Sequence, residues 1–234
     1  MSGISDQSAI AKGMQRQLET RAALLLAGAK PLGWKVGFGA TAALEMLGID
    51  GPLVGFLVDS GLIGPGETVS LAGWAKPLAE PEVAIHMGGD LGAGAGAQAT
   101  KAAIAGLGPA IELADMDTPP EDAETILAGN IYHRRVALGP LDQSRAGARL
   151  DGLSGRVFRH GAEFAFIDDL QANTGKLIDI VRHVADTLAA SGETLRAGEV
   201  IIPGSVTPPI FLDAEDAEIR FDLEPAGSIS VRLA

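Results

Sequence analysis

The chain has 234 residues, 47% of them hydrophobic and 21% charged, which is ordinary for one large or two small globular units and leaves little room for disorder. Eighteen Lys and Arg face thirty Asp and Glu, so the formal net charge of −12 excludes binding to nucleic acid or an anionic membrane through the overall field. With no cysteine, disulfides, zinc–thiolate sites and cysteine nucleophiles are excluded as well.

Residues 4–29 read as a helix, with Ala9, Leu18, Ala22, Leu25 and Leu26 roughly on one face and Gly28 as its stop. Its "AALLLAGA" run is too short to span a bilayer and sits behind charged residues, unlike a signal peptide. A cytoplasmic protein is expected. "LGWKVGF" alternates as a strand, with Leu32, Trp34, Val36 and Phe38 on one side and Gly33, Lys35 and Gly37 on the other. "ATAALEMLG" predicts a short helix closed by Gly48. Residues 50–76 predict short strands joined by turns. "AEPEVAIHM" predicts a strand, and the glycine-rich run after it feeds a helix. That run holds neither a P-loop nor a dinucleotide fingerprint.

"PAIELADMD" is a further strand, "PPEDAETILAGN" a helix entered through proline, and "YHRRVALG" a strand. "GRVFRHGAEFAFID" predicts a hairpin about His160-Gly161. In "NTGKLIDIVRHVADTLAASG", Leu177, Ile180, Val181, Val184 and Leu188 form the apolar stripe of a helix ending before Gly192. "EVIIPGSVTPP" is a strand running into a turn, and two terminal strands flank Pro225-Gly227. Strands outnumber helices, without a regular βαβ series. The expected fold is α+β: a mixed, mainly antiparallel β architecture with flanking helices. Residues 1–234 are expected to form one catalytic domain, with 1–30 a helical segment packed on it.

The chemistry lies in the acidic residues. On a strand, residues two apart point the same way at about 7 Å spacing, so Glu80 and Glu82 share a face with Ala84 and His86. Val83, Ile85 and Met87 take the core face. Pro81 cannot donate a ladder hydrogen bond, which places it at a sheet edge or a strand's first residues. In solvent the two carboxylates need no explanation; recessed, they need a cation or a proton. Oxygen ligands without sulfur favour Mg²⁺, Mn²⁺ or Ca²⁺. Glu112, set among Ile111, Leu113 and Ala114, is either a third such carboxylate or the exposed face of a strand. Lys35 lies between two glycines that leave the surface around it bare for a ligand; an ordinary exposed lysine fits the same pattern. The histidines at 86, 133, 160 and 183 show no ligand spacing.

"GWKVGF", "KPLAEPEVAIHMGGDL", "GPAIELAD" and "LRAGEVIIPGSVTPP", in this order, resemble the fumarylacetoacetate hydrolase superfamily, in its branch of 2-keto-4-pentenoate hydratases and 4-oxalocrotonate decarboxylases. The resemblance runs from about residue 30 to the end. It implies the family's mixed β-roll, with Glu80, Glu82 and Glu112 as metal ligands and Lys35 beside the substrate. It also implies Gly204 and Ser205 in a substrate-contacting turn where Pro203 replaces a threonine.

The activity so implied is a lyase, hydratase or decarboxylase, acting on a short 2-oxo or 2-hydroxydienoic acid through an enolate stabilised by Mg²⁺ or Mn²⁺. The implied partners are that small acid, further copies of the same chain and an enzyme of the same pathway. Two alternatives stand beside it: a hydrolase of a carbon–carbon bond in an acylpyruvate, and a non-catalytic partner subunit. The hydrolase needs a base for water, and no His–Glu pair is evident in the sequence; His86 shares the glutamate face. The chain departs from the family pattern at Asp115-Met116-Asp117, at Gly129-Asn130, at Gly175-Lys176-Leu177 and loosely at Asp59-Ser60, where substrate contacts or their supports are expected.

Overall fold

The computed structural model describes residues 3–234, with side chains from residue 8 onward. The elements follow in the order α1 (Gly3–Leu26), β1 (Pro31–Gly37), α2 (Thr41–Leu47), β2 (Leu53–Val58), β3 (Thr68–Val69), β4 (Pro77–Met87), α3 (Ala97–Ala103) and β5 (Ile104–Asp115). Then come α4 (Ala123–Ala128), β6 (His133–Leu138), β7 (Ser154–Arg159), β8 (Ala162–Ile167), α5 (Leu177–Ala190), β9 (Val200–Ile202), β10 (Ile210–Phe211), β11 (Glu218–Glu224) and β12 (Gly227–Leu233).

Two sheets carry the fold. The larger runs β2-β1-β9-β4-β5-β6, with β10 added beside β4; the smaller runs β3-β12-β11-β7-β8. Pairing is antiparallel except for β1 with β9 and β12 with β3. The larger sheet curls until its ends meet: Leu62 bridges Val136, and the Ile63 N–H donates to the Val136 carbonyl at 2.8 Å. This is the expected mixed, mainly antiparallel β-roll with helices around it.

The period-two pattern explains how the roll has two apolar sides. Val83, Ile85, Ile111 and Leu113 face the smaller sheet and pack with Val157, Ile219, Phe221 and Val231. Ala84 and Ala110 face the inside of the curl with Leu57, Val136 and Ile202. Glu80, Glu82 and Glu112 belong to this inner face, so the roll itself carries them out of water. Helix α5 covers the outside with the predicted stripe, all five residues of which are buried.

Two expectations are corrected. Pro81 is neither at an edge nor at a strand start: it is the fifth residue of β4, opposite Ile111 of β5. Its missing donor faces the gap between β9 and β10, where the 203–207 turn crosses. There Val206 N–H donates to the Pro81 carbonyl at 2.8 Å. A strand residue's N and C=O point to the same side, so no rung of the β4–β5 ladder is lost.

Helix α1 buries the apolar stripe read from its sequence only in part: Leu18 and Leu25 pack half-buried against the core, while Ala22 is exposed and Leu26 is 90% exposed. The buried face is Gly13, Met14, Gln17 and Arg21. Gln17 donates to the carbonyls of Val54 (3.3 Å) and Leu127 (3.0 Å), and Arg21 lies over the Trp34 ring at 4.8 Å. At Gly13 a β-carbon would come within 2.7 Å of Leu127 Cβ. Polar side chains occupy this contact because they satisfy carbonyls that a leucine would leave unpaired.

Candidate active site

Strand register assembles the acidic cluster. Glu80 stands directly opposite Glu112 in the β4–β5 ladder, and Glu82 is the next residue on the same face. Each offers a carboxylate oxygen, and these oxygens lie within 4.8 Å of one another. Glu82 and Glu112 are fully buried, while Glu80 is half-buried and opens on a cavity of about 340 Å³. Glu82 Oε2 accepts the Gly204 N–H at 2.6 Å, and Glu112 Oε1 accepts from Lys35 Nζ at 2.5 Å. The other oxygen of each, Glu82 Oε1 and Glu112 Oε2, is buried with no hydrogen-bond partner.

Lys35 is 2% exposed. Besides Glu112 it donates to the Ile131 carbonyl at 3.0 Å. The bare surface expected around it is only partly free. A β-carbon at Gly33, where φ is +153°, would fall 1.9 Å from the Val200 carbonyl, so that glycine exists to let β9 approach. One at Gly37 would meet Ile131 Cγ2 at 2.8 Å, although Gly37 also borders the cavity.

The residues that hold Lys35 and Glu112 come from the junction between the expected helix ending at Asn130 and the expected strand beginning at Tyr132. Asn130, Ile131 and Tyr132 are all at positive φ (54°, 52° and 62°), which non-glycine residues rarely adopt, still less three in a row. Asn130 clips this turn to β2: its Oδ1 accepts the Phe56 N–H at 2.8 Å and its Nδ2 donates to the Phe56 carbonyl at 3.0 Å. The turn aims the Ile131 carbonyl at Lys35 and delivers His133, whose Nδ1 lies 2.7 Å from Glu112 Oε1.

A His–Glu pair therefore exists, contrary to the sequence reading. No sequence spacing could have shown it, because the partners meet through the β5–β6 register. His86 lies further along β4, with Nε2 buried and unpartnered. Asn130→Ala is expected to destabilise the protein by about 2–3 kcal/mol, since two backbone groups lose partners and alanine tolerates positive φ less well. Asn130→Asp, which keeps only the acceptor, should fall between; urea unfolding of the three proteins measures both.

The other sequence-singled positions separate clearly. Ser205 lines the cavity, but its hydroxyl lies 3.4 Å from the Pro81 carbonyl and accepts the Thr207 N–H at 3.3 Å, so it also ties the turn together. Asp115 holds the Ala75 and Lys76 N–H groups (3.0 and 2.7 Å), and Asp117 pairs with Arg134 at 2.8 Å. Met116, between them, lines the cavity. Asp59 accepts the Lys30 N–H and Lys176 stands just ahead of α5; neither borders the cavity.

Charge decides what this cluster needs. Burial pushes Glu80 up to about 7, the negative charge of Glu112 adds to the rise, and Lys35 opposes it. Burial likewise holds Glu82 well above the ordinary carboxylate value, reinforced by Glu112 and Glu80 and opposed by the Gly204 N–H and Lys35. For Glu112 burial also acts upward, but Lys35 and His133 outweigh it and the carboxyl is lowered.

By linkage, the folded protein without a cation binds more protons at Glu80 and Glu82 than the unfolded chain does, from the ordinary value of 4.5 up to about 7 for Glu80, and these two carboxyls outnumber the one imidazole, His86, that burial lowers. Its stability falls as pH rises through that window. The opposite contribution of Glu112 is lost only at lower pH. A metal-free protein is thus expected to melt at progressively lower temperature from pH 5 to pH 8, and a bound dication should reverse the trend. Differential scanning calorimetry with and without chelator checks both signs.

The donor set fits a hard divalent cation. It consists of carboxylate oxygens alone, two of them orphaned, which matches Mg²⁺, Mn²⁺ or Ca²⁺ rather than a thiophilic metal. Fold and cluster together define an α+β roll with an all-carboxylate site at the floor of a cavity, beside a buried lysine.

The chain belongs to the fumarylacetoacetate hydrolase family: the family described as fumarylacetoacetate (FAA) hydrolase C-terminal matches residues 42–234. That stretch contains the three glutamates and the 203–207 turn, while Lys35 precedes it. Over 214 residues the chain is 30% identical to 2-hydroxyhexa-2,4-dienoate hydratase of Comamonas testosteroni, covering 88% of this chain and 79% of that protein. It is 27% identical over 239 residues to 2-keto-4-pentenoate hydratase 1 of Dechloromonas aromatica (strain RCB), covering 94% and 83%. Among solved structures it resembles 4-oxalocrotonate decarboxylase from Pseudomonas putida G7 complexed with calcium and acetate, with a TM-score of 0.86, 25% identity and coverage of 96% and 86%.

Proposed function

We propose that the chain is a metal-dependent lyase, a hydratase or decarboxylase, acting on a short 2-oxo or 2-hydroxydienoic acid. Glu80, Glu82 and Glu112 would hold Mg²⁺ or Mn²⁺. The observation that carries this reading is the pair of orphaned, buried oxygens on Glu82 and Glu112, converging with Glu80 at the end of a cavity. The names of the relatives, two hydratases and a decarboxylase solved with calcium and acetate, support the reaction class and the hard cation.

A dication there supplies Lewis-acid stabilisation of the charge that develops on the substrate's 2-oxygen. The protein's own groups do the rest. Lys35, held by Glu112 and the Ile131 carbonyl, is placed to hold the substrate's negative charge or to move a proton at the cavity floor. The Gly204 N–H fixes the Glu82 carboxylate, leaving its other oxygen free. The Ser205 turn and Gly204 form part of the wall a substrate would touch.

His133 does not revive the hydrolytic reading. It lies against Glu112, is not part of the cavity wall, and so positions the carboxylate rather than facing a water on the substrate. A scaffold without catalysis has no use for buried carboxylates that each leave one oxygen without a partner, which costs stability unless a cation is bound. A homo-oligomer in the cytoplasm completes the proposal.

Titration calorimetry with Mg²⁺ and Mn²⁺, followed by assay of 2-hydroxypenta-2,4-dienoate, 4-oxalocrotonate and an acylpyruvate, tests the reading. One saturable site and turnover of a dienoic acid are expected. Absence of divalent binding, or turnover of the acylpyruvate alone, would refute it.

A further inference from the structure

We infer that the acid taken by this site ends in an apolar, uncharged tail, so that the substrate is a monocarboxylic 2-oxo or 2-hydroxydienoic acid and not a dicarboxylic one. The inference rests on the reading of the carboxylate cluster as the seat of the acid's head group.

On the inner face of β4 and β5, cross-strand pairs follow one another at two-residue steps. Glu80 stands opposite Glu112, and the next pair on that face is Leu78 opposite Ala114. One such step is about 7 Å, so a chain of three or four carbons leaving the cluster in that direction passes over Leu78 and Ala114. Both residues line the cavity, as does Met116 beyond them. Phe38 and Tyr132 add two aromatic rings to the wall, with centroids 6.4 Å apart. Both are at positive φ, 58° and 62°, so the backbone holds them there against its own preference.

Lys35 and Glu80 are the only charged side chains of the cavity wall among the described residues, and Lys35 is already bonded to Glu112. Other cations attached to nearby strands are engaged: Lys76 lies over the Phe211 ring at 4.6 Å, and Arg134 is paired with Asp117. A second carboxylate at the tail would enter a mainly apolar cavity that offers it neutral polar groups (the Tyr132 hydroxyl, Asn173, Thr174) but, among the described residues, no free cation, so its charge would be left uncompensated. A methylene in the same place gains from leaving water.

The test is calorimetric, on Mg²⁺-loaded protein, with pyruvate, 2-oxopentanoate and 2-oxoglutarate. The last two have five carbons each and differ at the tail. About three- to fourfold tighter binding per buried methylene is expected, hence roughly tenfold for 2-oxopentanoate over pyruvate. Binding of 2-oxoglutarate should be at least about tenfold weaker than that of 2-oxopentanoate.

Met116→Arg should shift the preference toward 2-oxoglutarate by about tenfold or more, because it supplies the missing cation. Ala43→Arg, on another part of the same wall, serves if the first variant does not fold. If 2-oxoglutarate binds as tightly as 2-oxopentanoate, the inference fails while the head-group reading stands. If none of the three acids binds, the head-group reading fails and takes the inference with it. If neither arginine changes the ratio, the tail does not lie on this wall and the assignment is overturned.

Discussion

Glu82→Gln is expected to abolish saturable Mg²⁺ and Mn²⁺ binding and, at the same time, to raise the melting temperature of the metal-free protein. The two effects have one origin. Glu82 is fully buried, its Oε1 has no partner, and burial already disfavours its charge. Glutamine keeps the shape and an oxygen for the Gly204 N–H, but removes the charge that a cation needs and that the empty site must suppress. Lewis-acid stabilisation is typically several kcal/mol, so turnover should fall by roughly a thousandfold. For a chain of this length each kcal/mol of relieved charge burial raises the melting temperature by about 2–4 °C. Calorimetric titration and thermal scans at pH 8, with and without chelator, measure the two together. Retention of wild-type metal affinity would remove Glu82 from the ligand set; a lower metal-free melting temperature would contradict the account of its buried charge.

Lys35→Met has the opposite pattern. Turnover should drop by about 10²–10⁴, the range associated with a positioned proton donor or acceptor. Metal affinity should be unchanged or tighter, because a positive charge next to Glu112 is removed. Metal-free stability should decrease by about 3 kcal/mol, the lower end for breaking a buried ion pair from one side, since His133 remains against Glu112. Adding Mg²⁺ should restore part of that loss. Urea unfolding with and without metal, alongside calorimetry and steady-state rates, separates the three effects. A variant that binds metal and turns over like the wild type would exclude Lys35 from the chemistry.

These two substitutions bear on residues that could be read in advance for different reasons. The alternation in "AEPEVAIHM" sorts core from inner face, and the buried Val83 and Ile85 follow it. In "LGWKVGF" it holds for Trp34 and Val36 but not for Leu32, which packs on the inner face beside a register shift at the start of β1, nor for Phe38, which follows the strand at positive φ and lines the cavity. Gly48 and the His160-Gly161 turn were legible because their positive φ values (65°, 54° and 74°) suit the residues found there. Helix α1 misled because its most buried face includes Gln17 and Arg21, whose bonds to Val54, Leu127 and the Trp34 ring turn the helix away from the stripe that hydrophobicity alone picks out. Pro81 misled because an interior strand can have a local gap beside it, and nothing near Pro81 in the chain announces the crossing of residues 203–207.

By itself, then, the amino-acid sequence determined the α+β class, the strand faces, the acidic residues available to one face and, through ordered motifs, the family. Those features depend on local period and residue type, which a linear string carries. Only the tertiary structure decided that Glu80 stands opposite Glu112, that Lys35 and His133 converge on one carboxylate oxygen, and that Leu78 and Ala114 continue the same surface into an apolar cavity. The reason is physical: register between strands separated by a long excursion is set by packing across the whole roll, and a shift of one residue would turn every one of these side chains to the other face.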